Sequence, residues 1–252
     1  MNTQTTNTTT VITPSYEALK GYILANNEKD AIACMKAMYD DFDFENLNNI
    51  DPRLTTIKDE NNNVQKTIKL HMVFEVIKNG MIDLLNLVIN HPNFDKHVID
   101  LFGETILTST YYYYKANKNI VYLDMIRMMI DNPNVDINYT NLNQDTIAHL
   151  VASNANLCDI LDKLVNDPTC NLNQINDLGL TPMGEAIRYK NVNAVVMLAR
   201  RSDVIIRKDD VELAEKYNIN LETLIGEYTL GAIPMSEKML KRCKMFRESF
   251  VK

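Results

Sequence analysis

Three histidines are the first side chains to test for chemistry. His91 and His97 lie close to Asp95 and Asp100, which together hold the donor types of a metal site or an acid–base pair. The spacing fits no zinc pattern, and His91 falls at a helix end, so the sequence favours ordinary surface histidines. The third, His149, falls within the repeats described below. The four cysteines, Cys34, Cys158, Cys170 and Cys243, are far apart and form no C-x-x-C pair, so reduced thiols are expected. Cys158 is expected to pack inside a helix as a small hydrophobe. Arg200, Arg201, Arg207 and Lys208 form a basic cluster, but Asp203, Asp209 and Asp210 balance it, which suggests a solvated face. No phosphate-cradling G-x-x-x-x-G-K-[ST], dinucleotide G-x-G-x-x-G, H-E-x-x-H or G-x-S-x-G occurs. The reading is therefore not an enzyme, with no catalytic residue, no metal and no cofactor.

Composition narrows the remaining classes. The chain has 252 residues, 46% of them hydrophobic and 23% charged, enough to bury a core without staples. Seven Gly, seven Pro and no Trp argue against a turn-rich β-sandwich. Lys and Arg number 26 against 33 Asp and Glu, a net charge of −7, so no basic footprint favours nucleic acid or an anionic membrane. The stretch Met81–Ile89 is the most apolar, and Asp83 and Asn86 interrupt it far short of a membrane span. The opening MNTQTTNTTT has neither a basic start nor an apolar region, unlike a secretory signal. A cytoplasmic protein is expected, whether in its own cell or in the cytosol of a host.

The elements that would position any site come from internal repeats. LLNLVINHPNFD (84–95), MIRMMIDNPNVD (125–136) and ILDKLVNDPTCN (160–171) align without gaps, and a weaker copy begins at Val195. A second marker keeps the same spacing: Gly103-x-Thr105, Gln144-x-Thr146 and Gly179-x-Thr181. From block end to the next Thr is always ten residues. In each unit the Thr is a good N-cap, and Pro182 sits where its missing N–H costs nothing. A short helix then closes near Asn79-Gly80, Asn117 or Asn119, Asn154 or Asn191, residue types that tolerate a left-handed conformation. A second apolar helix ends at Pro92, Pro133 or Pro168. One such pair cannot bury its own apolar face, so the pairs must stack.

Thr181-Pro182-Met183-Gly184-Glu185-Ala186 resembles the ankyrin T-P-L-H-x-A signature, with Gly184 in place of His. Thr146-Ile147-Ala148-His149 keeps the Thr and His, and Asn134-Val135-Asp136-Ile137-Asn138 is similar to the family's A-D-V-N finger start. The period of 35 sits near the family's roughly 33. The resemblance covers about residues 70–203. It implies an all-α, ankyrin-like helical repeat solenoid with short extended fingers between helix pairs. It also implies a structural His149 bonded to Thr146 and neighbouring backbone. The implied function is binding a protein partner through a concave face, and the chain is expected to be a monomer on its own. Carried onto this chain, that face includes Tyr139, Asn141, Asn143, Gln174, Asn176, Leu178, Arg188 and Tyr189.

The irregularities complete the map. Residues 1–12 read as a disordered polar tail, and 13–252 as a single solenoid. Within it, 13–44 is a capping repeat whose first helix Thr13-Pro14 caps, and 45–69 is an enlarged finger or loop with an exposed turn at 59–63. Core repeats fill 70–208, and 209–252 is a worn last repeat followed by an amphipathic closing helix. The first interval is six residues longer than the others, and the excess falls at 111–119. Tyr111, Tyr112, Tyr113 and Tyr114 there either pack into the stack or form an aromatic binding patch. An alternative function is an adaptor: Ile233-Pro234-Met235-Ser236-Glu237 resembles the L-P-x-E start of F-box-like tails in some viral ankyrin proteins, which recruit a ubiquitin ligase.

Overall fold

Apolar residues at the same two places in each block carry the architecture. Leu84, Met125, Ile160 and Val195 are wholly buried, and Leu85, Ile126 and Leu161 form a second buried column beside them. The computed structural model describes residues 13–48, 56–58, 64–67, 71–221 and 223–225. It builds five helix pairs: α1 (Tyr16–Leu24) with α2 (Glu28–Ala37), α4 (Val73–Lys78) with α5 (Ile82–Ile89), and α6 (Ile106–Asn117) with α7 (Ile120–Ile130). The last two are α8 (Ile147–Ala152) with α9 (Cys158–Asn166), and α10 (Pro182–Arg188) with α11 (Val192–Arg200). These pairs are units one to five below. The first helices contact one another in order, and α12 (Lys208–Lys216) extends their row; α2, α5, α7, α9 and α11 form the second row. The apolar faces meet between the rows in one continuous core.

Between units one and two the chain departs from the repeat. The short α3 (Phe44–Asn48) is followed by β1 (Thr56–Lys58) and β2 (Val64–Thr67), an antiparallel pair with Thr56 opposite Thr67. The turn expected at 59–63 lies outside the described residues. The expectations for 1–12 and for the closing helix and adaptor segment beyond 225 lie outside the described residues.

Several local expectations are corrected. Ser15, not Thr13, caps α1 and accepts from the Ala18 N–H. The helix pairs turn through left-handed residues at Asn26, Gly80, Lys118, Lys190 and Asn218. In units three and five a lysine therefore adopts the conformation that the sequence suggested for the adjacent asparagine. Asn119 and Asn191 are used otherwise: their side chains accept from Val121 and Ala194 and cap the second helix. Unit four has no left-handed residue in its helix turn; a 3-10 turn at Ala155–Leu157, capped by Asn154, joins its helices. Cys158 is the first residue of α9, as expected in the second helix, but it is only half-buried there.

Arg201 is the least surface-like member of the basic cluster. Its guanidinium donates to the carbonyls of Leu164, Asp167 and Cys170, closing the end of the preceding unit's helix. His91 is likewise no surface histidine, being only 3% exposed. Its Nδ1 accepts from the Asn93 N–H and its Nε2 meets the Tyr39 carbonyl at 2.7 Å. The rings of Tyr39, Phe42 and Phe44 surround it edge-on.

Candidate functional site

The nine residues between block end and Thr fold into a finger built by side-chain mimicry of a turn. Asp100, Asn141 and Asn176 occupy one place in units three, four and five. One side-chain oxygen of each accepts two backbone N–H groups: Phe102 and Glu104, Asn143 and Asp145, Leu178 and Leu180. Asn and Asp suit this task because their short side chains reach the backbone two residues on. Gly103, Gln144 and Gly179 follow in the left-handed region, which explains the first letter of the Gly/Gln-x-Thr marker. Gly103 is doubly constrained, since a Cβ there would lie 2.1 Å from Cγ of Leu142 on the next finger.

Neighbouring fingers are tied by the other ends of the same amides. Asn141 Nδ2 donates to Glu104 at 2.8 Å; Asn176 Nδ2 donates to Asp145 at 2.8 Å and to Glu185 at 2.9 Å. Backbone bonds run alongside, from the Leu142 N–H to Gly103 O and from the Asp177 N–H to Asn143 O. A similar ladder lies at the finger base. Asn138 binds the backbone of Thr169 and Asn171, and Asn173, one period on, binds Asp203 and Ile205. Much of the chain's asparagine, 31 residues in all, thus has a structural task.

Behind the fingers, each Thr caps an inner helix with a partner three residues on. Thr105 pairs with Thr108, Thr146 with His149, and Thr181 binds the bare Gly184 N–H. His149 Nδ1 accepts from Thr146, which leaves Nε2–H to donate to the carbonyls of Gln174 and Leu180 on the next finger at 3.0 and 3.2 Å. Burial holds its pKa below the ordinary value, although Asp145 and the two carbonyls pull the other way. It is a neutral structural pin. No group of three or more His, Cys, Asp or Glu among the described residues is placed to hold a metal ion.

The residues expected to bind a partner fall into distinct neighbourhoods. Asn141 and Asn176 are buried in the ladder just described. Gln174 supplies its carbonyl to His149. Tyr111 is buried and meets Tyr112 edge-on, while Tyr113 stacks against Tyr122 inside the α6–α7 pair. Tyr114 is half-buried under the Lys118 ammonium. Tyr139 packs on His97, which approaches Asp136 at 3.3 Å. The six extra residues lengthen both helices of unit three, so that α6 has 12 residues against 6 in α8.

A second group does converge on the inner face. Tyr112 is half-buried with its pKa pushed up to about 12, chiefly by burial and then by Glu104 and Asp145, and it also feels Tyr189. Tyr189 is 55% exposed; Arg188 lies over its ring at 4.9 Å and pairs with Glu185 at 3.4 Å. Burial raises the Glu185 carboxyl, with Asn176 and Arg188 opposing. In front of this group stand the fingertips, where Phe102 is 83% exposed, Leu142 66% and Leu178 65%, with Leu101 and Asn143 beside them. Of the three most exposed, only Leu178 was expected from the sequence. The repeat interval itself maps Leu178 back through Asn143 to Phe102, a signal that was present in the alignment.

No family model matches the chain, and no curated protein does. A crystal structure of an ankyrin repeat domain from Acinetobacter baumannii is similar to it, with a TM-score of 0.53 and 16% sequence identity. The match covers 84% of this chain and 96% of that one. The fold is therefore an ankyrin-type, all-α repeat stack. No helix among the described residues is long and apolar enough to cross a membrane.

Proposed function

We propose that the chain is a non-catalytic binding module that holds a partner protein on the fingertips of units three to five and the inner-helix face behind them. The observation that carries this reading is the row of Phe102, Leu142 and Leu178, large apolar side chains left to water on fingers in which every buried side-chain polar atom has a hydrogen-bond partner. Exposed apolar side chains grouped on ordered polar supports are the usual composition of an interface centre. The half-buried phenol of Tyr112, with Tyr189 and Arg188, supplies anchors of the types enriched among energetically dominant contacts. The adaptor alternative rests on residues 233–237 alone.

The test is affinity capture from cytosol with the full chain and with a Phe102→Ser/Leu142→Ser/Leu178→Ser variant. The variant is expected to keep its melting temperature within a few degrees, since exposed positions contribute little to stability. It is expected to lose at least tenfold in affinity for the captured protein, measured by calorimetry with that protein purified. Undiminished capture by a folded variant would move the site elsewhere.

A further inference from the structure

Charge is distributed unevenly over this molecule, and the unevenness identifies the chemistry of a partner. No Lys or Arg occurs in 97–114, 128–162 or 164–187, the three segments that form the fingers and most of the inner helices of units three to five. Asp100, Glu104, Asp136, Asp145 and Asp177 lie on those fingers. Glu104 and Asp145 receive neutral amides, and Asp100 receives backbone N–H groups and the Ser109 hydroxyl. Such donors orient a carboxylate without cancelling its charge. On the second-helix row the pattern is the opposite: Asp124 and Asp159 share Arg127, and Asp131 binds Lys163. Apart from Asp136, which His97 approaches, these finger carboxylates have no basic side chain paired with them among the described residues, and they stand beside projecting apolar side chains.

Resting on the proposed function above, we infer that the finger edge recognises a polypeptide segment rich in Lys or Arg whose apolar side chains seat beside Phe102, Leu142 and Leu178. Stacked helices lie about 8–10 Å apart, so successive fingers present their apolar side chains at about that interval. Every third residue of a polyproline II segment returns to the same face after about 9 Å, and every seventh of an α-helix after about 10 Å, so apolar residues at such intervals with basic ones between them satisfy both features. Burying Lys or Arg against the carboxylates steers the encounter and selects against acidic segments. Arg207, which donates to Gly179 O and pairs with Asp209, bounds the acidic row on one side.

Selection of a displayed random 16-residue peptide library on the full chain tests this. Recovered sequences are expected to be enriched in Lys and Arg, with apolar residues three or seven apart. A selected peptide is then measured by fluorescence anisotropy against Asp177→Lys on a fingertip and Asp162→Lys on the exposed face of α9, which change net charge equally. The fingertip variant is expected to bind at least tenfold more weakly, the α9 variant within twofold, and affinity is expected to fall as salt rises. Neutral or acidic peptides, or equal losses in both variants, overturn the inference. If such peptides still lose binding with Phe102→Ser/Leu142→Ser/Leu178→Ser, the finger edge binds polypeptide and only the partner's charge is wrong. If no recovered peptide responds to either fingertip change, the proposed function falls as well.

Discussion

Units three to five hold together differently from the start of the chain. Where the period is kept, neighbouring units are joined by repeated Asn side chains: Asn141 and Asn176 turn their own fingers and donate to the preceding one, and Asn138 and Asn173 bind the backbone of the following unit. Between units one and two the period is broken: single polar ties remain, from Asn79 Nδ2 to Ile23 O, from Asn93 Nδ2 to Phe42 O and from the Asp83 and Leu84 N–H groups to Glu28, and a ring cluster is added to them. Phe42, Phe44, His71, His91 and Phe94 form one cluster, with ring centroids 4.9–5.6 Å apart. A polar ladder requires each donor to meet its acceptor at a fixed interval, so it survives only where spacing is regular. Apolar and aromatic packing tolerates irregular chain length, because any shape that fills the space excludes water.

The comparison can be broken first at Phe42, which is 1% exposed at the centre of the ring cluster. Phe42→Ala should cost about 3–5 kcal/mol, the usual range for a buried Phe, seen as a lower midpoint in chemical denaturation. A loss under about 1 kcal/mol would mean that the cluster is not what joins the first two units. Next comes Asn176→Ala, which removes four hydrogen bonds and leaves Glu185 buried without its amide. About 2 kcal/mol is expected by the same measurement. A neutral result would show that water replaces the ladder and that the two regions do not differ as described.

The mildest lever is acid. Burial lowers the His71 pKa from 6.5 to about 4 despite the opposing pull of Asp95. The folded state thus favours neutral His71, and its contribution is complete above pH 6.5 and lost as pH falls toward 4. Between pH 7 and 5 this amounts to about 2 kcal/mol. His71→Gln should be less stable at pH 7, and its deficit relative to the natural chain should narrow by about that amount at pH 5. Parallel stability curves would place His71 in contact with solvent.

The repeat periodicity, the buried columns and the capping threonines were legible because each depends on residue type at a fixed interval. The ring cluster was not, since Phe42, His71 and His91 are brought together by a stretch that follows no period. At the fingers, Asn141 and Asn176 read equally well as contact residues or as turn formers. Only the paths of their hydrogen bonds separate the two roles. Arg201 does pair with Asp203, as the local charge balance suggests, but its guanidinium also donates to three carbonyls one unit away, a tie that the local sequence does not show. Residues whose partners lie one unit away are hidden from local reading.

The overlong α6–α7 pair bears on how such a chain finds its arrangement. Units built to one template are nearly interchangeable, so a folding array can dock the wrong neighbours, skip one, or exchange units with a second molecule. A pair with 12- and 11-residue helices among shorter ones meets its neighbours through contacts that include Tyr122 on the Lys78 carbonyl at the end of α4 and Asn141 on Glu104. It breaks the translational symmetry of the array. That gives the stack a landmark from which every other unit can be counted.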